Sequence, residues 1–216
     1  MTTKNSQTNL KNKVKEVIKI LSEKYPCPKC ALDHTTPWEL LVATILSAQC
    51  TDKRVNMITP ALFKKYPNPE AFANADIKEL EQDIHSAGFY HNKAKNIIGC
   101  ATELLRLYNG VIPQTLDELT VLPGVGRKTG SVLLGTAYGK AEGIVVDTHV
   151  SRLSQKIGLT TNKEPEKIEQ DLMKIVEKKH WINISHWLIL HGRETCSARS
   201  PKCSVCPISQ LCDNSL

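Results

Sequence analysis

Apolar residues recur along this chain at the spacing of helices, not strands. Between residues 11 and 24, Val14, Val17, Ile18 and Leu21 fall three, four and seven apart, which predicts an amphipathic helix. Thr36-Pro37-Trp38-Glu39 has the form of a capping box with proline at the first helical position, and it opens an apolar helix through Leu46. Thr115-Leu116-Asp117-Glu118 is a second capping box. Residues 93–108 place Ala94, Ile97, Ile98, Ala101, Leu104 and Leu105 on one helical face, and Asn109-Gly110 ends that helix. Residues 127–138 predict a helix stopped by Gly139, and Asp147 an N-cap for a helix that runs to Ile157 and stops at Gly158. Residues 164–179 form a further amphipathic helix, and only residues 143–146 look extended. The pattern predicts an all-α protein with short loops and no internal repeat.

Length and charge refine this picture. The chain has 216 residues, enough for one sizeable domain or two small ones. No apolar run reaches the length of a membrane span; residues 40–46 suit a buried helix. The start, Met-Thr-Thr-Lys-Asn-Ser-Gln, lacks the apolar stretch of a secretory signal, so the expectation is a soluble cytoplasmic protein, of a length that suits a bacterial source. The formal net charge of +6 hints at a polyanionic partner. Its distribution weakens the hint, because residues 1–30 hold seven lysines against two glutamates. More informative is the stretch 119–141, which contains Arg127, Lys128 and Lys140 and no acidic residue.

Within that stretch, Leu122-Pro123-Gly124-Val125-Gly126-Arg127-Lys128-Thr129-Gly130 joins two helices through a turn built on glycines. Gly124 and Gly126 permit positive φ and close backbone approach, and the turn leads into a helix N-terminus that favours an anion. The turn alone reads equally as a phosphate cradle or as an ordinary helix–helix connection. Arg127 and Lys128 tilt the balance, because cations in a first helical turn oppose the dipole, and broken local rules mark functional sites. Partial burial of Lys128 beside Arg127 would leave a nucleophilic amine; alternatively both side chains grip phosphate. A nucleotide P-loop is excluded, since Arg127 stands where its glycine is required. Asp147, about twenty residues on, reads either as a plain helix cap or as a carboxylate that assists an amine and stabilises positive charge.

Four of eight cysteines, Cys196, Cys203, Cys206 and Cys212, crowd one short segment, a strong metal signal in a chain without a secretory leader. Thiolate chemistry alone leaves tetrahedral zinc and an iron–sulfur cubane both open. Arg199 and Lys202, in the long first gap, read either as phosphate contacts or as plain surface charge. Cys27 and Cys30 have no second pair, Cys50 and Cys100 read as buried small residues, and His186 and His191 as structural.

Residues 122–129 followed by Val146-Asp147-Thr148-His149 resemble the helix-hairpin-helix and aspartate signature of the endonuclease III superfamily of DNA glycosylases. Residues 40–52, ending Ser47-Ala48-Gln49-Cys50-Thr51-Asp52, resemble that family's segment after its first core helix. Gly88-Phe89-Tyr90-His91-Asn92-Lys93-Ala94 resembles its duplex-entering loop, and Trp187-Leu188-Ile189-Leu190-His191-Gly192-Arg193 the stretch before its cysteines. The likeness spans roughly residues 30–212.

The resemblance implies two helical parts flanking a DNA-binding cleft: a bundle over residues 30–140 carrying the hairpin, and residues 1–29 with 141–216 carrying a cluster. It implies a monomeric base-excision enzyme, at the bacterial nucleoid, that acts on double-stranded DNA containing damaged bases or abasic sites. Lys128 corresponds to the lyase nucleophile and Asp147 to the catalytic aspartate. The base, an oxidised pyrimidine by expectation, is flipped out, Lys128 forms a Schiff base at C1′, and β-elimination cuts 3′ to the site. Gln49 and Phe89 fill the vacated stack, with Phe89 standing where the family more often has leucine. His149 contacts backbone phosphate, and Gly130 stands where alanine is usual. The cysteine spacing implies a 4Fe–4S cluster. Adenine-mismatch glycosylases generally lack the lysine. A pyrimidine-dimer glycosylase and lyase shares it, and a non-catalytic 4Fe–4S DNA-binding protein is the rival from another class.

Overall fold

Among the described residues, six helix starts, those after Thr36, Thr51, Asn68, Asp76, Thr115 and Asp147, are set by short polar side chains that take up N–H groups the helix itself leaves without acceptors. The computed structural model describes residues 2–213, with side chains from residue 7 onward. Its described residues contain α-helices from α1 (Thr2–Lys24) through α11 (Trp181–Glu194) and no strand. Two compact units divide the chain: Cys30–Glu142, and Met1–Lys29 with Gly143–Leu216. No helix among the described residues is long and apolar enough to cross a membrane.

The unit Cys30–Glu142 holds α2 (Pro37–Ser47), α3 (Asp52–Lys65), α4 (Pro69–Ala73), α5 (Ile77–Asp83), α6 (Tyr90–Tyr108), α7 (Leu116–Thr120) and α8 (Arg127–Tyr138). Thr36, Thr51, Asn68, Asp76 and Thr115 cap α2, α3, α4, α5 and α7 through their side chains. The core lies around α2, which buries Leu40, Leu41, Val42, Ala43 and Leu46 completely, and it takes in Phe72, Ile97, Leu104, Leu133 and Leu134. Phe72 lies edge-on to Trp38, ring centroids 5.6 Å apart.

The second unit packs α1, α9 (Thr148–Ile157), α10 (Pro165–Ile175) and α11 around a separate core of Val14, Val17, Leu21, Val150, Leu153, Leu172, Trp187 and Leu188. The indole N–H of Trp187 donates to the carbonyl of Tyr25 at 3.1 Å, which fixes the end of α1. The helix expected over residues 164–179 stops earlier, at Ile175. Val176 turns into an extended conformation and is buried, and its carbonyl accepts from the Trp181 indole at 3.0 Å. A tertiary acceptor ends the helix where the apolar pattern continues. Residues 143–146 are irregular, without a ladder partner.

Phe72 is wholly buried against two aromatic rings, so Phe72→Ala should destabilise by about 3–5 kcal/mol. Urea unfolding checks this; a loss below 1 kcal/mol would show that the pocket collapses on the cavity.

Candidate functional site

The hairpin joins α7 to α8, and its two glycines differ. Gly124 has φ +75°, and a Cβ there would lie 2.7 Å from Cβ of Asn96 on α6. Both conformation and space demand glycine at that position. Gly126 has φ −85° and is the N-cap of α8, with no side-chain cap bond, and a Cβ there would meet nothing within 4 Å. The protein's own packing does not require glycine at 126. The first turn of α8, with Arg127 and Lys128, has no acidic residue. Lys128 is exposed. This corrects the partial burial expected from the sequence: the side chain leaves the first turn at the tip of a hairpin, where no element covers it. Gly130 is buried, and the end of the Leu116 side chain lies 2.7 Å from where its Cβ would be, so Leu116 fills the space an alanine methyl would take.

Gln49 and Phe89 share an unusual backbone. They have φ +53° and +48°, left-handed values that carry strain for residues with a Cβ. Both are exposed, Phe89 to 63%. Gln49 follows α2 and Phe89 is the N-cap of α6. Between them lies Lys93, only 4% exposed, whose Nζ donates to the carbonyls of Leu46 at 2.8 Å and Ala87 at 2.9 Å. Burial draws its ammonium pKa down, and nearby Cys50 opposes that shift. Lys93 falls within the motif of residues 88–94, and the sequence alone assigns it no role. The available signal was its place one turn before Ile97, on the face that α6 buries. α6 thus acts as a ruler: Phe89 starts it, Asn96 abuts Gly124, and Gly99 lies against Pro123.

In the other unit, Asp147 is half-buried and caps α9, its Oδ1 accepting from the Val150 N–H at 2.8 Å. Arg152, one turn further, donates through Nη2 to the carbonyls of Gly192 at 3.2 Å and Cys196 at 2.7 Å. His149 lies against this group, its Nδ1 3.4 Å from Arg152 Nη2. The helix that carries Asp147 is therefore tied to the start of the cysteine segment.

Cys196, Cys203, Cys206 and Cys212 line one pocket with Leu153, Ile157 and Ile208. Burial pushes the Cys196 and Cys206 thiols up, so a metal that ligates them must itself supply the free energy that displaces their protons. His191 is buried, with Nε2 3.4 Å from the Cys206 sulfur and an unpartnered Nδ1. Its pKa is lowered to about 4, chiefly by burial, which leaves a neutral ring to support a thiolate. A single zinc ion draws sulfurs to about 2.3 Å. Four thiols around one pocket fit either that ion or an iron–sulfur core. Arg199 and Lys202 are exposed on the same segment, and Cys27 is exposed, while Cys50 is half-buried and not buried as expected.

Comparison with known proteins agrees with this geometry. Residues 42–178 match the HhH-GPD superfamily base excision DNA repair protein family, and residues 196–212 match the iron-sulfur binding domain of endonuclease III. Endonuclease III of Synechocystis sp. is 50% identical over 202 residues, 94% of this chain and 92% of that protein. The solved structure of a non-covalent endonuclease III–DNA complex has a TM-score of 0.90 and 43% identity, covering 95% of this chain and 96% of that one. A trapped endonuclease III–DNA covalent intermediate gives 0.90 and 42%, with coverages of 95% and 96%. Fold and hairpin define a helix-hairpin-helix protein of base excision DNA repair. Within that class, the chain belongs to the endonuclease III family of DNA glycosylases and lyases. Its cofactor is a 4Fe–4S cluster.

Two outcomes test this geometry. Gly124→Ala should destabilise by roughly 2–4 kcal/mol, from left-handed strain and crowding. Gly126→Ala should lose at most about 1 kcal/mol and yet bind DNA about tenfold more weakly. Thermal melts and fluorescence anisotropy separate the two effects, and unchanged DNA affinity in Gly126→Ala would remove the cradle. Purified protein should be yellow-brown, and Cys203→Ser should lose both colour and iron; colourless protein containing zinc would overturn the cluster.

Proposed function

We propose that this protein excises oxidised pyrimidines from double-stranded DNA and cuts the strand, with Lys128 as nucleophile and Asp147 as the carboxylate that stabilises positive charge at the sugar. The observation that carries this reading is the α8 N-terminus, exposed, uncapped and bearing two cations. Its N–H groups and dipole suit a backbone phosphate, and a phosphate bound there would bring a deoxyribose within reach of Lys128. The covalent complex trapped for a relative 42% identical supports an enzyme-bound intermediate.

In this reading the Lys128 amine, as free base, bonds to C1′ while the glycosidic bond breaks and the base leaves with the electron pair and a proton. Asp147 stabilises positive charge at the sugar; Oδ1 caps α9, and Oδ2 makes no hydrogen bond among the described residues. Ring opening gives an iminium. Loss of a C2′ proton then breaks the C3′–O bond, releases the 3′ phosphate, and leaves water to free the lysine. Gln49 and Phe89 enter the stack that the extruded nucleotide leaves. Gly124, Gly126, Arg127, His149, Arg199 and Lys202 contact the backbone. Cys196, Cys203, Cys206 and Cys212 hold the cluster, which, when bound, braces the segment displaying Arg199 and Lys202. We assign the hairpin and wedge to the unit Cys30–Glu142 and the cluster to the other. The protein acts as a monomer, at the nucleoid of a bacterial cytoplasm, consistent with its bacterial relatives.

Borohydride with abasic-site duplex should give a covalent adduct for wild type and none for Lys128→Ala, with DNA binding retained. Asp147→Asn should keep its melting temperature, because asparagine also caps, and lose about 10²–10⁴-fold in excision rate. A full rate in Asp147→Asn would reduce that residue to a cap.

A further inference from the structure

Lys93 is the buried charged residue that the mechanism above leaves unused. Its position is costly, because an ammonium out of water must find acceptors. Both acceptors it has found are carbonyls next to strained backbone. Leu46 lies in the last turn of α2, where carbonyls have no helical partner, and Gln49 follows three residues later. Ala87 closes the 3₁₀ turn His85–Ala87, and Phe89 follows two residues later. The backbone N–H of Lys93 also donates to the Phe89 carbonyl at 3.1 Å. One residue thus holds both the segment that ends at Gln49 and the segment that ends at Phe89. Such backbone strain persists only where the surroundings over-determine it.

We propose that Lys93 is a positioning residue, a buried staple that locks the Gln49 and Phe89 loops into one rigid two-pronged wedge and so sets the yield of base extrusion. The inference rests on the reading of Gln49 and Phe89 as the groups that enter the vacated stack. An apolar side chain of equal length fills the same space but leaves the Leu46 and Ala87 carbonyls without their donor and lets each loop relax independently. Binding to the backbone then survives, because the hairpin does not depend on the ammonium. What suffers is the step in which both prongs must arrive together, and small misplacements there reduce rates steeply.

The test uses the full-length protein and a duplex with 2-aminopurine beside the lesion, whose fluorescence reports unstacking. Lys93→Met should bind undamaged duplex within about twofold of wild type, yet show a fluorescence rise and a single-turnover excision rate reduced about tenfold to a hundredfold. Wild-type values for both would overturn the proposal. In a double-mutant cycle, adding Lys93→Met to Phe89→Ala should cost less than about twofold more, because the staple acts through the wedge. A full multiplicative loss would overturn it. Phe89→Ala and Gln49→Ala alone report on the underlying reading: if neither alters fluorescence, the wedge assignment fails, whereas if both do and Lys93→Met does not, only the staple fails. Should Lys93→Met not fold, hydrogen exchange on the wild type carries the test. The amides around Gln49 and Phe89 should open with one shared rate, and independent opening would overturn the proposal.

Discussion

A helix that begins without a cap leaves N–H groups aimed at whatever lies beyond it. In this protein Thr36, Thr51, Asn68, Asp76, Thr115 and Asp147 close that requirement for six helices with their own side chains. α6, α10 and α11 begin without a side-chain cap bond, and so does α8, at Gly126, which is exposed and has cations where carboxylates are favoured. Neighbouring elements of its own unit seat this terminus. Gly124 takes the left-handed turn and lets Asn96 pack against it, so the hairpin is seated on α6. The same helix begins at Phe89 and carries Lys93. One helix therefore meets both the hairpin that carries the anion-seeking terminus and Phe89, assigned to fill the stack.

The other unit solves a different problem. Its cysteine segment has only short 3₁₀ turns, Cys203–Val205 and Ser209–Leu211, and cannot bury much of its own backbone. Its order comes from neighbours. Ile208 is buried in the core, and Arg152 donates to the Cys196 carbonyl at 2.7 Å. Arg152 lies on α9, the helix that Asp147 caps, so one helix carries both Asp147 and the contact to the first cysteine of the segment.

Much of this was legible in the residues because the signals were local. The limits of α8 and α9 follow from Gly139, Asp147 and Gly158, each acting on its own backbone. The family was legible for another reason: several ordered motifs must coincide. What escaped was set by distant partners. α10 ends at Ile175 because Trp181 reaches back to Val176, and α3 continues through Pro60, which sequence reading left unassigned. Lys128 looked crowded on paper and is exposed, since nothing in the string of residues says that a hairpin tip has no neighbour. Lys93 drew no notice because a lysine in a helix is ordinary until its acceptors, far away in sequence, are known.

The account stands on one amine that joins itself to the sugar. The most direct measurement is mass spectrometry of the proteolysed, borohydride-reduced adduct formed with abasic-site duplex. The modified residue should be Lys128, with the deoxyribose remnant on its Nζ. A remnant on Lys140, or on the amino terminus, would contradict the account.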